Sequence, residues 1–184
     1  MDFNMAFVSG GPCSGKTKLV EELERRGYPV FHEAARRLAE TDERFKGKNI
    51  NQIDRRLFQD EIFSMQKKLF GESLKSGNFF FSDRGFGDTI AYYKLNGFGV
   101  PQFYLKHARS FSKHQVFVLD LLSKYKMDAL RRENSEERET IHAEIIKVYT
   151  ELGNPLAKVP EMKITDRADF ILEFLGKTPQ SKSL

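Results

Sequence analysis

The sequence contains no tryptophan and a single cysteine, Cys13, among its 184 residues. One thiol excludes an intramolecular disulfide framework and a cysteine-rich zinc site. No apolar run approaches the roughly 18–20 residues of a membrane span, and mean hydropathy is −0.52. The four histidines, His32, His107, His114 and His142, show no metal-ligand spacing and read as structural side chains. Neither sign of charge dominates: 30 Lys and Arg stand against 26 acids, a net charge of +4. So small a surplus favours anionic small molecules and argues against nucleic acid as a partner. The N-terminus lacks the basic segment and cleavage site of a signal peptide, so a cytoplasmic location is expected. Internal repeats, Pro/Gly/Ser-rich linkers and low-complexity tracts are also missing. A single domain over residues 1–177, followed by a polar tail at 178–184, is the expected organisation.

What is present is an alternation of short apolar runs with helical periods, the pattern of a parallel sheet wrapped by helices. The runs Phe3–Ser9, Tyr28–His32, Asn78–Ser82, Gln115–Asp120 and Leu156–Val159 are nearly continuous, as for strands covered on both faces. Helices are predicted over Lys16–Arg26, Asn51–Ser76, Thr89–Asn96, Ser135–Leu152 and Asp166–Leu175. In the fourth, Ile141, Ile145, Val148, Tyr149 and Leu152 form one stripe. Asn134 and Glu137 can form its capping box, and Gly153-Asn154-Pro155 ends it. Five strands with interleaved helices predict a three-layer α/β fold.

The strongest motif is Gly10-Gly11-Pro12-Cys13-Ser14-Gly15-Lys16-Thr17, which fits G-x4-G-K-[ST] without a mismatch. It lies between a predicted strand and a predicted helix, where a phosphate cradle has to be. Glycines let successive N–H groups converge on phosphate oxygens, and the helix N-terminus adds positive potential. Lys16 is placed to reach the β- and γ-phosphates of ATP, and the Thr17 hydroxyl to ligate Mg²⁺. The nucleotide-binding set is therefore Gly10 through Lys18, with Cys13 read as a small loop residue without a redox role.

A phosphate loop needs an acidic partner at a neighbouring strand end to hold the metal or its waters. Asp83 follows Phe79-Phe80-Phe81-Ser82, and Asp120 follows Val116-Phe117-Val118-Leu119. Asp83 is favoured because Arg84 beside it adds a phosphate-binding fork. Asp88 reads equally as a substrate residue or as the N-cap of the helix at Thr89. Glu33 closes the second apolar run and precedes Ala34-Ala35-Arg36-Arg37. An acceptor-site role for Glu33 and Arg36 stands against a surface ion pair on a helix. Lys124, Lys126, Arg131 and Arg132 lie between the fourth strand and the helix at Ser135. They read as a basic lid, spanning about residues 121–138, whose arginines Arg131 and Arg132 neutralise charge on a moving phosphoryl group. The alternative is a solvated charged turn.

On these residues the chain resembles the small AAA-type ATP-binding proteins related to nicotinamide-riboside kinase domains. More distantly it is similar to nucleoside and nucleotide kinases. The carrying segments are Gly10–Thr17, Glu33-Ala34-Ala35-Arg36, Asp83-Arg84-Gly85 with Asp88 and Tyr92, and Asp128 with Arg131-Arg132. Tyr149–Gly153, Val159-Pro160 and Arg167 complete them. The resemblance implies an adenylate-kinase-like sheet of order 2-3-1-4-5 and Mg-ATP binding. It also implies Lys16 and Thr17 as phosphate and metal residues, Asp83 as the metal or base group, and Arg131 or Arg132 as lid arginines. It implies no particular acceptor. The expected activity is transfer of the ATP γ-phosphate to a small molecule; the alternative is a nucleotide-dependent switch acting on a protein partner. A guanine-reading Asn-Lys-x-Asp motif is absent, and 184 residues leave little room for the helical lid domain of a larger motor.

Overall fold

The computed structural model describes residues 4–123 and 135–177. The predicted lid residues Lys124, Lys126, Asp128, Arg131 and Arg132, the helix-capping Asn134 and the tail at 178–184 lie outside the described residues. Five strands, β1 (Met5–Ser9), β2 (Val30–Phe31), β3 (Phe80–Asp83), β4 (Gln115–Leu119) and β5 (Leu156–Val159), form one sheet. All its pairings are parallel and its order is β2-β3-β1-β4-β5, as the resemblance implies.

Alternating side chains of the inner strands feed two separate cores, which is why the runs read as continuously apolar. Met5 and Phe7 of β1, Phe80 of β3, and Val116 and Val118 of β4 enter one core. Their neighbours Ala6, Val8, Phe81, Phe117 and Leu119 enter the other. The first core is covered by α3 (Arg55–Ser76), α4 (Phe86–Leu95), α5 (Gln102–Arg109) and α6 (Ser135–Leu152). The second is covered by α1 (Lys16–Arg25) and α7 (Ile164–Phe174). At the β2 edge α2 (Ala34–Thr41) packs on α3 through Leu38, Phe45, Phe58 and Ile62.

Helix boundaries depart from the sequence reading where a side chain caps the backbone. The stretch predicted as one helix from Asn51 is a short 3₁₀ turn, Ile50–Gln52, followed by α3. Asp54 separates them by accepting from the Arg56 and Leu57 amides at 2.9 and 3.0 Å. Helix α4 starts at Phe86, three residues before the predicted Thr89, so Asp88 is not its N-cap. Asp88 instead sits in the first turn and accepts from the Gly85 amide at 3.0 Å. Helix α5, eight residues long and preceded by Gly97, Gly99 and Pro101, is too short for a clear period and was not anticipated.

Candidate functional site

The C-terminal end of β1 leads directly into the glycine-rich loop and then α1, so the loop sits over the middle of the sheet edge. Gly10 adopts φ +135°, and a Cβ there would lie 2.7 Å from the Leu119 carbonyl oxygen. Gly11 is needed for a different reason: a Cβ would meet His142 Cβ and Leu121 Cδ2 at 2.9 Å. The loop is thus threaded between β4 and α6. Lys16 is buried and folds back on it, its Nζ donating to the Gly10 and Gly11 carbonyls at 2.9 and 2.7 Å. A third contact reaches Ser14 Oγ at 3.3 Å. Burial, with Arg84 nearby, lowers the Lys16 ammonium to about 8.

Beside the loop stand Thr17 and Asp83. The Thr17 hydroxyl donates to Asp83 Oδ2 at 3.4 Å. Asp83 is 2 % exposed, and its Oδ1 is buried without a hydrogen-bond partner. Burial and the neighbouring Glu33 raise its carboxyl to about 6, against the pull of Lys16 and Arg84. An orphaned carboxylate oxygen next to a hydroxyl fits a hard cation such as Mg²⁺. That ion binds through one or two protein oxygens and completes its shell with water and phosphate. No cluster of three or more His, Cys, Asp or Glu ligands occurs among the described residues.

Arg84 follows with φ +72°, a left-handed conformation that costs a non-glycine residue about 1 kcal/mol. Its guanidinium joins the neighbouring acids: Nε donates to Glu33 Oε1 at 2.7 Å and Nη1 to Asp88 Oδ1 at 3.2 Å. The same group lies over the Tyr92 ring at 5.6 Å. Burial opposes ionisation of Glu33, but Arg84 and Lys16 outweigh it and hold the carboxyl below its ordinary value. Glu33 and Asp83 therefore form a pair of acids whose affinities for a proton are pushed apart.

Asp88 is 1 % exposed, with both carboxylate oxygens engaged. Ser9 Oγ donates to Oδ1 at 2.8 Å, and Tyr149 Oη and the Gly85 amide donate to Oδ2 at 2.7 and 3.0 Å. This saturation makes Asp88 a tie between β1, α4 and α6. Thr17, Glu33, Arg36 and Asp83 meet at a cavity of about 520 Å³ between α1, β2 and α2, while Asp88 is not among its lining residues. Lys18 is exposed on α1 and does not line this cavity.

Three side chains that brace the loop were not singled out as site residues in the sequence. His142 Nδ1 accepts from the Gly11 amide at 3.1 Å. Arg138 Nε donates to the Pro12 carbonyl at 3.3 Å and its Nη2 to that of Leu122 at 3.2 Å. Arg167, fully buried, donates to the carbonyls of Ser14 at 2.6 Å, Pro160 at 2.9 Å and Asp120 at 3.4 Å. The second acid, Asp120, pairs with Lys158 at 3.3 Å.

A glycine-rich loop over β1, flanked by β3 in a sheet of order 2-3-1-4-5, defines a P-loop protein with the fold of the small P-loop kinases. The match is more specific still: residues 6–167 fit the family described as AAA domain, and the chain belongs to it. Among solved structures it is similar to NadR in complex with NR (TM-score 0.70, 18% identity, all of this chain and 54% of that one). It is also similar to deoxyadenosine kinase from M. mycoides (TM-score 0.61, 16% identity, 94% of this chain and 98% of that one). Shikimate kinase from Aquifex aeolicus follows (TM-score 0.58, 19% identity, 94% and 96%). The chain spans about half the length of the NadR chains. No curated protein matches it. No helix among the described residues is long and apolar enough to cross a membrane.

Proposed function

We propose that this protein is a Mg²⁺-dependent kinase that transfers the γ-phosphoryl group of ATP to a hydroxyl of a small acceptor. The observation that carries this reading is the buried Asp83 carboxylate, facing Thr17 on one side and the Glu33–Arg36 cavity on the other. A nucleotide switch requires the first half of that arrangement but has no need of a second pocket opening onto the metal-site acid. The solved kinases of this fold show that the architecture carries such chemistry elsewhere.

In this reading the loop amides from Gly10 to Thr17 cradle the phosphates. Lys16 exchanges the Gly10 and Gly11 carbonyls for phosphate oxygens. Thr17 and Asp83 would hold a Mg²⁺ ion, which would supply positive charge against the phosphates. Glu33, kept ionised by Arg84, accepts a hydrogen bond from the acceptor hydroxyl and aims its oxygen at the γ-phosphorus. A bond forms between the acceptor oxygen and the γ-phosphorus as the bond to the β–γ bridging oxygen breaks. ADP leaves with that electron pair, and the hydroxyl proton passes to Glu33. Arg36 lies at the cavity mouth, where it can orient the acceptor. Arg131 and Arg132 complete the proposal as lid arginines, on the sequence alone, within a single domain of residues 1–177.

Coupled ADP release measured across nucleosides, nucleotides and sugars tests the proposal. An accepted substrate is expected to raise turnover at least about tenfold above basal hydrolysis, and Lys16→Ala to abolish it with the fold intact. Turnover that no acceptor raises above slow hydrolysis would remove the kinase reading. Paired affinities for ATP and GTP decide the nucleotide, and a clear GTP preference would overturn the choice of ATP.

A further inference from the structure

Among the described residues, the side chain that donates a hydrogen bond to the Glu33 carboxylate is Arg84, and Arg84 is shared. Its Nε reaches Glu33 at 2.7 Å, while Nη1 reaches Asp88 at the longer distance of 3.2 Å. Two carboxylates thus compete for one guanidinium. The division between them depends on how well each acid is satisfied by other donors. Asp88 has three: Ser9 Oγ at 2.8 Å, Tyr149 Oη at 2.7 Å and the Gly85 amide at 3.0 Å. Burial and the charge on Asp88 push the Tyr149 phenol well above its ordinary value, so its proton stays available as a donor.

The chain next to Arg84 is shaped to admit that tyrosine. Neither Gly85 nor Gly87 has a positive φ, so backbone conformation does not call for glycine at these positions. Space does. A Cβ on Gly85 would lie 2.7 Å from Tyr149 Oη, and one on Gly87 would lie 2.5 Å from its Cε1. The Gly85-Phe86-Gly87 segment is therefore a seat for Tyr149 of α6. Ser9, Asp88 and Tyr149 do not line the acceptor cavity, whereas Glu33 does. Their route to the reaction runs through Arg84. Resting on the kinase reading above, we propose that Ser9 and Tyr149 are positioning residues for Glu33. By satisfying Asp88 they leave the short bond of Arg84 to Glu33, which is thereby fixed for the acceptor hydroxyl. Without either hydroxyl Asp88 competes more strongly, and the guanidinium moves towards it and away from Glu33.

Crystal structures of Tyr149→Phe and Ser9→Ala, grown without ligand, test the geometry; the phenylalanine ring keeps its seat on the two glycines. Each variant is expected to lengthen the Arg84–Glu33 contact past about 3.5 Å, beyond a hydrogen bond, and to shorten the one to Asp88. An Arg84–Glu33 contact unchanged in both variants overturns the proposal. Kinetics supply the second readout, with Mg-ATP and whichever nucleoside, nucleotide or sugar supports turnover. In each variant kcat is expected to fall at least about fivefold, with the KM for ATP within about twofold of wild type. In a Glu33→Gln background the same substitutions should change kcat less than about twofold, because the group they position is already altered. Unchanged kcat in both variants, or losses that multiply in full in the Glu33→Gln background, overturns the positioning role. Turnover by the wild type with none of the acceptors removes the kinase reading and the catalytic purpose with it. The crystallographic contact still decides, independently, whether the donors to Asp88 govern Arg84.

Discussion

Two aspartates flank β1, one at the end of β3 and one just beyond β4, and their surroundings are opposite. Asp83 lies level with Val8 in the β1–β3 register. On the other side Val8 is level with Phe117, so Asp120 stands three residues further out, about 10 Å along the strand direction. That offset brings Asp83 to the Thr17 hydroxyl and carries Asp120 past the loop to solvent, where Lys158 meets it. The β3 side gathers charged groups around an open cavity. The β4 side spends its polar groups on the backbone: Arg138, His142 and Arg167 hold the loop's carbonyls and one amide in place. In the proposed function it is register and unmet hydrogen-bonding capacity, rather than strand-end position alone, that single out Asp83 as the metal-site acid.

The largest expected effect separates the two acids directly. Asp83→Asn keeps the shape but removes the charge at the proposed metal site, and kcat/KM should fall by about 10²–10³, the loss typical of one preorganised electrostatic group. Asp120→Asn should change it less than about threefold. Equal or reversed losses in steady-state kinetics would mean that the metal-site acid is on the other strand.

The β4 side should be broken through stability. Arg167→Ala leaves three carbonyls without their donor and empties a fully buried site, so urea unfolding should show a loss of about 3 kcal/mol. Because the Ser14 carbonyl belongs to the loop, ATP affinity should fall as well. A variant of unchanged stability would show that the brace is incidental.

A smaller, pH-dependent contrast follows from Asp83 titrating near 6. Above that pH the carboxylate is ionised and can take Mg²⁺; below it the proton competes. Between pH 7.5 and 5.5 the ionised fraction falls about fourfold, and Mg²⁺-dependent nucleotide affinity should fall with it. Calorimetric Mg²⁺ titrations in the presence of ATP check the slope. Asp120→Asn should retain it and Asp83→Asn should lose it. Towards alkaline pH, Lys16 sheds its proton near 8 in the nucleotide-free protein, so affinity should decline again.

The sheet was legible because its inner strands are nearly unbroken apolar runs, and the phosphate loop because its motif is contiguous and sits between a strand and a helix. The β3 acid was favoured from Arg84 beside it, although the decisive offset between β3 and β4 depends on pairing register, which single runs do not encode. The brace left little trace. Arg138, His142 and Arg167 bond backbone atoms 126 to 153 residues away, and a carbonyl oxygen has no sequence identity. Two signals were available: Arg167 is among the residues that carry the family resemblance, and Arg138 and His142 are one helical turn apart, beside the apolar stripe of α6. Asp88 misled for a related reason, since an acid near a helix start fits both a cap and a ligand until its hydrogen bonds are counted.

The finest comparison concerns Asp120 itself. Its partner Lys158 is 75 % exposed at the side chain, Asp120 is 27 % exposed, and the pair is 3.3 Å apart. In water such a pair gains little Coulomb energy and immobilises a long side chain. Lys158 belongs to β5, the edge strand, whose alternate residues face solvent. Lys158→Ala should therefore cost no more than about 0.5 kcal/mol in urea unfolding and leave Mg²⁺-dependent turnover within about twofold. A larger loss of turnover, restored by Lys158→Arg, would mean that the charge next to Asp120 acts on the nucleotide. The functional divide would then run on both sides of β1.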